Sequence, residues 1–245
     1  ANREPNLKRA NIFTLNYDLL FECACDELGI HYINGFKGVT ERTFHPEVFD
    51  IDLYYPSTPT QSAQRYDKVI CLYKLHGSLN WIRAEENKFE RYPYGILEKD
   101  IELVRQEITK NANLPLMIYP TAYKTEDVLG FPYSEMFRHF ASKLHTHQSV
   151  LFVCGYGFGD EHVNAIIKQA LTYPTFSLII VSPNAHETGW GEKLSAKEID
   201  DKRINIISGD IGKFDEFVSR VLPEVGEEDI EQKLKKWIKE IGKAL

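Results

Sequence analysis

The chain has 245 residues, 43% of them hydrophobic and 27% charged, and its 29 basic and 36 acidic side chains give a net charge of −7. That composition supplies a sizeable core for one or two domains, and its acidic balance argues against a general nucleic-acid-binding surface. No apolar run reaches the ~18 residues of a bilayer span, the first residues carry no signal-peptide core, and the four cysteines (Cys23, Cys25, Cys71, Cys154) form no CxxC pair, which disfavours a zinc site or disulfide framework and suits a reducing cytoplasm.

Strand-like and helix-like segments alternate along the chain. Asn11 to Leu15 is an apolar run of strand length. It leads through Asn16, Tyr17 and Asp18 into a helical stretch, Leu19 to Leu28, stopped by Gly29. Residues 35–67, rich in Pro, Thr, Ser and aromatic side chains, read as a long irregular excursion. Val69 to Leu75 is a second strand, ended by His76-Gly77-Ser78. Residues 82–147 read as an inserted, partly helical lobe with helices at Ile101 to Lys110 and Ser134 to His145 and an apolar segment at Leu114 to Pro120. Ser149 to Cys154 is a third strand, followed by the glycine-rich Gly155 to Gly159. The next helix bears Val163, Ile166, Ile167, Ala170 and Leu171 on one face. Ser177 to Val181 and Ile204 to Ile207 complete the strands, and residues 227–245 form a last amphipathic helix, either packed on the core or making a partner contact through Trp237.

Nearly continuous apolar strands are those of a parallel sheet covered on both faces. The expected fold is therefore α/β, a doubly wound parallel sheet in a single domain over residues 1–245. Ligands of such sheets bind beyond the carboxyl ends of the strands, and three unusual segments begin there. In Thr14-Leu15-Asn16-Tyr17-Asp18 the polar side chains can cap the following helix; alternatively the amide of Asn16 orients a sugar hydroxyl or a water, and Asp18 holds a polar neighbour. In Lys74-Leu75-His76-Gly77-Ser78, His76 is either a packed core residue or a general base. Gly77 would remove bulk where a substrate approaches. Ser78 lacks the GxSxG elbow of a hydrolase nucleophile. In Gly155-Tyr156-Gly157-Phe158-Gly159-Asp160-Glu161-His162, backbone N–H groups can face a phosphate at a helix start. There Asp160 reads as a helix cap in preference to a metal ligand.

Taken in order, TLNYD, KLHGS and GYGFGDEH resemble the sirtuin-like family in its prokaryotic branch. The resemblance runs from about Asn11 to Gly212. It implies a Rossmann-like fold that binds NAD, and an NAD hydrolase of the kind that exhausts cellular NAD in anti-phage defence. It assigns Asn16 and His76 as catalytic residues. It places Thr14, Asp18, Gly155, Tyr156, Gly157, Ser182, Asn184, Gly209, Asp210 and Ile211 around NAD. Deacylase members carry four zinc-binding cysteines in paired motifs. This chain has no such pairs, so no zinc is expected, and hydrolysis is favoured over NAD-dependent deacylation. Gly157 stands where many relatives have Ser. Nothing before Asn11 resembles the family's opening strand and Gly-Ala-Gly-type phosphate loop, so both are expected to be missing from this chain. The alternative is a regulatory module that binds NAD or ADP-ribose without turnover. The resemblance further implies a cytoplasmic homo-oligomer acting beside an ATPase or an Argonaute-like protein, with no membrane and no direct nucleic-acid contact.

Overall fold

The computed structural model describes residues 9–56, 64–84, 94–111, 115–118, 130–184 and 201–221. The chain divides into two compact units, Ala1–Arg138 and His139–Leu245.

In the first unit, β1 (Ala10–Thr14) is followed by α1 (Leu20–Leu28). Gly29 closes that helix in the left-handed region at φ 62°, a common helix stop. Next come β2 (His31–Ile33), β3 (Phe36–Lys37), β4 (Arg42–Phe44), a 3-10 turn at Pro46–Asp50, β5 (Tyr54–Tyr55) and β6 (Gln64–Arg65). Then β7 (Val69–Lys74), β8 (Trp81–Arg83), β9 (Ile96–Glu98) and α2 (Ile101–Asn111) follow, and α3 (Tyr133–Leu144) runs across the division between units. Strands β1, β7 and β2 make a parallel sheet with β7 in the middle. The central place of β7 explains its composition: five of its six side chains are buried, against one of five in β1. Tyr73 of β7 is stacked between Phe13 and Phe49, at 4.5 and 4.2 Å between ring centroids.

A second, antiparallel sheet has the order β3-β4-β9-β8, and β5 pairs with β6 in a short ribbon. Phe36, Phe44 and Trp81 meet on the antiparallel sheet with centroids 5.2 to 6.1 Å apart. This sheet joins strands from the supposed irregular excursion to strands from the supposed lobe.

In the second unit, β10 (Val150–Cys154), α4 (Glu161–Ala170), β11 (Ser177–Val181), β12 (Ile204–Ile207), a 3-10 turn at Gly209–Gly212 and α5 (Phe214–Arg220) follow in order. The sheet is parallel, β10-β11-β12. Ile179, Val181, Ile207 and Phe217 form a core cluster, with Ile211 and Val221 packed against it.

The fold is thus mixed α/β, consistent with a Rossmann-like arrangement. It differs from the expected single doubly wound sheet: among the described residues the parallel strands pair as two separate three-stranded sheets. Apolar continuity reports that a strand is covered on both faces, and it says nothing about which strand lies beside it. The helix expected over 227–245 lies outside the described residues, as do residues 114, 119 and 120 of the apolar segment after α2.

Candidate active site

The β1–β7 register runs from Ala10 opposite Ile70 to Thr14 opposite Lys74. The pairing continues past the strand ends, where Leu75 N–H donates to Thr14 O at 2.9 Å. Asn16 and His76 each follow two residues after these paired strand ends. Adjacent strands lie about 4.8 Å apart, so the turns that carry these two residues start from neighbouring strand ends.

The turn after β1 is shaped by its own polar groups. Asn16 N–H donates to Thr14 Oγ1 at 3.0 Å, and Leu20 N–H donates to Asp18 Oδ1 at 3.0 Å. The Thr14 hydroxyl and the Asp18 carboxylate therefore each accept from a nearby backbone N–H, whereas the N-cap of α1 is Leu19, with no side-chain cap bond, so capping by Asn16 or Asp18 is not what is seen. Asn16 is exposed, and among the described residues its side chain makes no hydrogen bond. That leaves its amide able to orient a hydroxyl or a water.

His76 is buried, with 8% of its surface exposed, and its ring centroid lies 6.3 Å from that of Phe137. Its main-chain oxygen accepts from Ile118 N–H at 2.8 Å, while Ser78 N–H donates to Leu116 O at 3.2 Å. Between them Gly77, at φ +84°, bridges to Met117. A Cβ there would stand 2.2 Å from Leu116 O and 2.8 Å from Met117 Cα. The bulk removed at Gly77 thus makes way for the protein's own backbone, which corrects the expectation of an approaching substrate.

Sequence reasoning missed a buried polar network under this edge. Lys74, 2% exposed, donates to Glu22 Oε1 at 2.9 Å, to Ser78 Oγ at 2.9 Å and to Asp18 O. Ser78 in turn donates to Asn80 Oδ1 at 2.7 Å, and Asn80 Nδ2 to Glu98 Oε1 at 3.4 Å. Glu98 also accepts from Asn34 Nδ2 at 2.8 Å and from Arg42 Nε at 2.5 Å. With its proton given to Asn80 and its oxygen accepting from Lys74, Ser78 is a structural hydroxyl. The available signal was a lone lysine closing an apolar strand, since a charge in such a place needs partners.

The second unit carries another aligned edge. Cys154, Val181 and Ile207 are in register, so Gly155, Ser182 and Ser208 leave their strands together. Ser182 N–H donates to Ile207 O at 3.0 Å and Gly209 N–H to Pro183 O at 3.1 Å, which ties the two loops to each other. Asp160 caps α4, its Oδ1 accepting from His162 N–H at 3.0 Å and Val163 N–H at 3.2 Å. Tyr156 OH donates to Asp160 O at 3.0 Å, lies 3.1 Å from Asn164 Oδ1, and accepts from Asp160 N–H at 3.1 Å. Burial pushes this phenol up to about 12. The Tyr156 hydroxyl therefore holds the glycine loop in shape.

Within the loop, a Cβ placed on Gly157 would have no described atom within 4 Å. Among the described residues no neighbour accounts for a glycine at this position. Around the other loops, Ser182 is half-buried and Asn184 exposed, and Ile211 packs on the core cluster. Asp210 is exposed and paired with Lys213 at 2.9 Å, whose ammonium holds the carboxyl below its usual range.

Among the described residues no group of three or more His, Cys, Asp or Glu side chains is placed to hold a metal ion, and no helix is long and apolar enough to cross a membrane. No curated protein matches the chain. The model of the SIR2-like domain, whose members are NAD-dependent enzymes, matches residues 10–207. The chain belongs to the SIR2-like domain family.

Proposed function

We propose that the protein hydrolyses NAD to nicotinamide and ADP-ribose. The observation that supports this reading is that Asn16 and His76 lie on the turns leaving the paired carboxyl ends of β1 and β7, in a family that uses NAD. The exposed Asn16 amide orients a ribose hydroxyl or the attacking water. The bond from ribose C1 to the nicotinamide nitrogen breaks with its electron pair leaving on nicotinamide, while the ring oxygen shares the positive charge at C1. Water adds to C1 and His76 takes the proton, so the products are nicotinamide, ADP-ribose and one proton. Thr14 and Asp18 hold the Asn16 turn in shape.

In the second unit, the Gly155–Tyr156–Gly157 loop offers backbone N–H groups to a phosphate. The open space beside Gly157 supports that role. Ser182, Asn184 and the Gly209–Asp210–Ile211 turn offer hydroxyl, amide and carboxylate partners to a nucleoside. The biological output would be depletion of cytoplasmic NAD in anti-phage defence, by a homo-oligomer triggered through an ATPase or Argonaute-like partner.

General-base assistance contributes about 10²–10⁴-fold, so His76→Ala in the full protein is expected to slow nicotinamide release by that factor, read by chromatography. An unchanged rate would overturn the mechanism. The burial of His76 favours a second reading, a module that binds NAD or ADP-ribose without turnover. Calorimetry with NAD followed by chromatography of the same sample separates the two: saturable binding with NAD intact after hours selects the module.

A further inference from the structure

The network around Lys74 joins the three elements that carry the candidate site: α1 through Glu22, the turn after β1 through Asp18 O, and the turn after β7 through Ser78. We infer that Lys74 is a positioning residue whose buried ammonium fixes the Asn16 turn against the His76 turn. The inference rests on the hydrolysis proposed above for its link to rate, and stands on geometry alone for the tether.

An ammonium is costly to bury unless each of its protons is used. Lys74 has three protons and three acceptors, and none of the acceptors belongs to β7 itself. A methionine would fill the same volume without the desolvation cost, but it could not hold the Asp18 carbonyl or the Ser78 hydroxyl. The charge also sets the direction of the neighbouring bonds. Lys74 can only donate, so Ser78 gives its proton away, to Asn80 Oδ1 at 2.7 Å over Tyr17 O at 3.5 Å, and Asn80 then offers its amide to Glu98. A further bond, Leu79 N–H to Tyr17 O at 2.9 Å, closes the same seam. Asn16 and His76 thus sit on turns clamped from beneath by one cation. Glu22 Oε2 has no hydrogen-bond partner among the described residues. Removing Lys74 alone would leave that carboxylate buried and uncompensated, so the informative variant is Lys74→Met combined with Glu22→Gln.

The test follows nicotinamide release from NAD and amide hydrogen exchange in the full chain. With the double variant, kcat is expected to fall about tenfold or more with KM changed less than about threefold, because a loosened turn misplaces groups in the transition state without removing a substrate contact. Exchange of the amides of Asn16 and Leu79, which donate to Thr14 Oγ1 and Tyr17 O, is expected to accelerate, with those of Asp160, His162 and Val163 unchanged; a general loss of structure would move both. Unchanged exchange at Asn16 and Leu79 overturns the tether whatever the activity. Faster exchange with an unaltered kcat overturns its role in the reaction. A wild-type chain that folds but releases no nicotinamide overturns the hydrolysis reading instead, and the exchange result still decides the tether.

Discussion

Replacing Gly77 with alanine puts a methyl group where the Leu116 backbone already stands. The φ of +84° costs an L-residue about 1–2 kcal/mol. The methyl carbon would lie 2.2 Å from Leu116 O, inside any tolerable separation, so residues 115–118 must move away from the turn. That motion endangers the Ser78 N–H to Leu116 O bond at 3.2 Å and the Ile118 N–H to His76 O bond at 2.8 Å. Each is worth about 0.5–1.5 kcal/mol. The sum is roughly 2–5 kcal/mol, which for a chain of this size lowers Tm by roughly 5–15 °C. Scanning calorimetry of wild type and Gly77→Ala measures it directly. A Tm within about 2 °C of wild type would show that the turn does not need the left-handed backbone or the close approach.

Gly157→Ala reverses the case: its methyl group meets no described atom within 4 Å, so stability should change by less than about 0.5 kcal/mol. If the loop receives a phosphate, KM for NAD should rise by about tenfold as the new carbon crowds the backbone amides; equal KM values would remove the loop from the binding site. Tyr156 carries a folded-state pKa of about 12, above its ordinary value of 10.0. Its protonated form therefore stabilises the second unit fully below pH 10, and that contribution disappears as pH rises toward 12. Chemical denaturation across this window should show a steeper loss of stability in wild type than in Tyr156→Phe, and parallel curves would refute the linkage.

Several elements were legible because their signals are local. Ser177–Val181 and Ile204–Ile207 are strands over the expected residues, α2 begins at the expected Ile101, and Gly29 ends α1. Asp160 is the helix cap its position before a 3.6-residue apolar period suggested. The antiparallel sheet was not legible. Its strands are two or three residues long, too short for a period to show, and β4 at Arg42–Phe44 finds β9 at Ile96–Glu98 across more than fifty residues. The sequence marked Asn16 and His76 as strand-end residues but could not reveal that the two strands they follow are hydrogen-bonded neighbours in one parallel sheet. Apart from Lys74, the polar network beneath these strand ends was equally hidden, because each of its other members is an ordinary residue until the fold brings it to its partners.

Hydrogen bonding between β1 and β7 reads residues from the strands themselves and takes no account of the chain between them. Length added or deleted at the intervening turns is therefore absorbed as loop, at a small entropic cost, and leaves the two strand ends side by side. One residue gained or lost within Ala10–Thr14 or Val69–Lys74 has a different result, because it rotates every later side chain of that strand to the opposite face. Descendants of this sequence are thus free to drift in spacing but held in phase. A search for relatives by a fixed interval between the two residues would overlook those whose connecting turns differ in length.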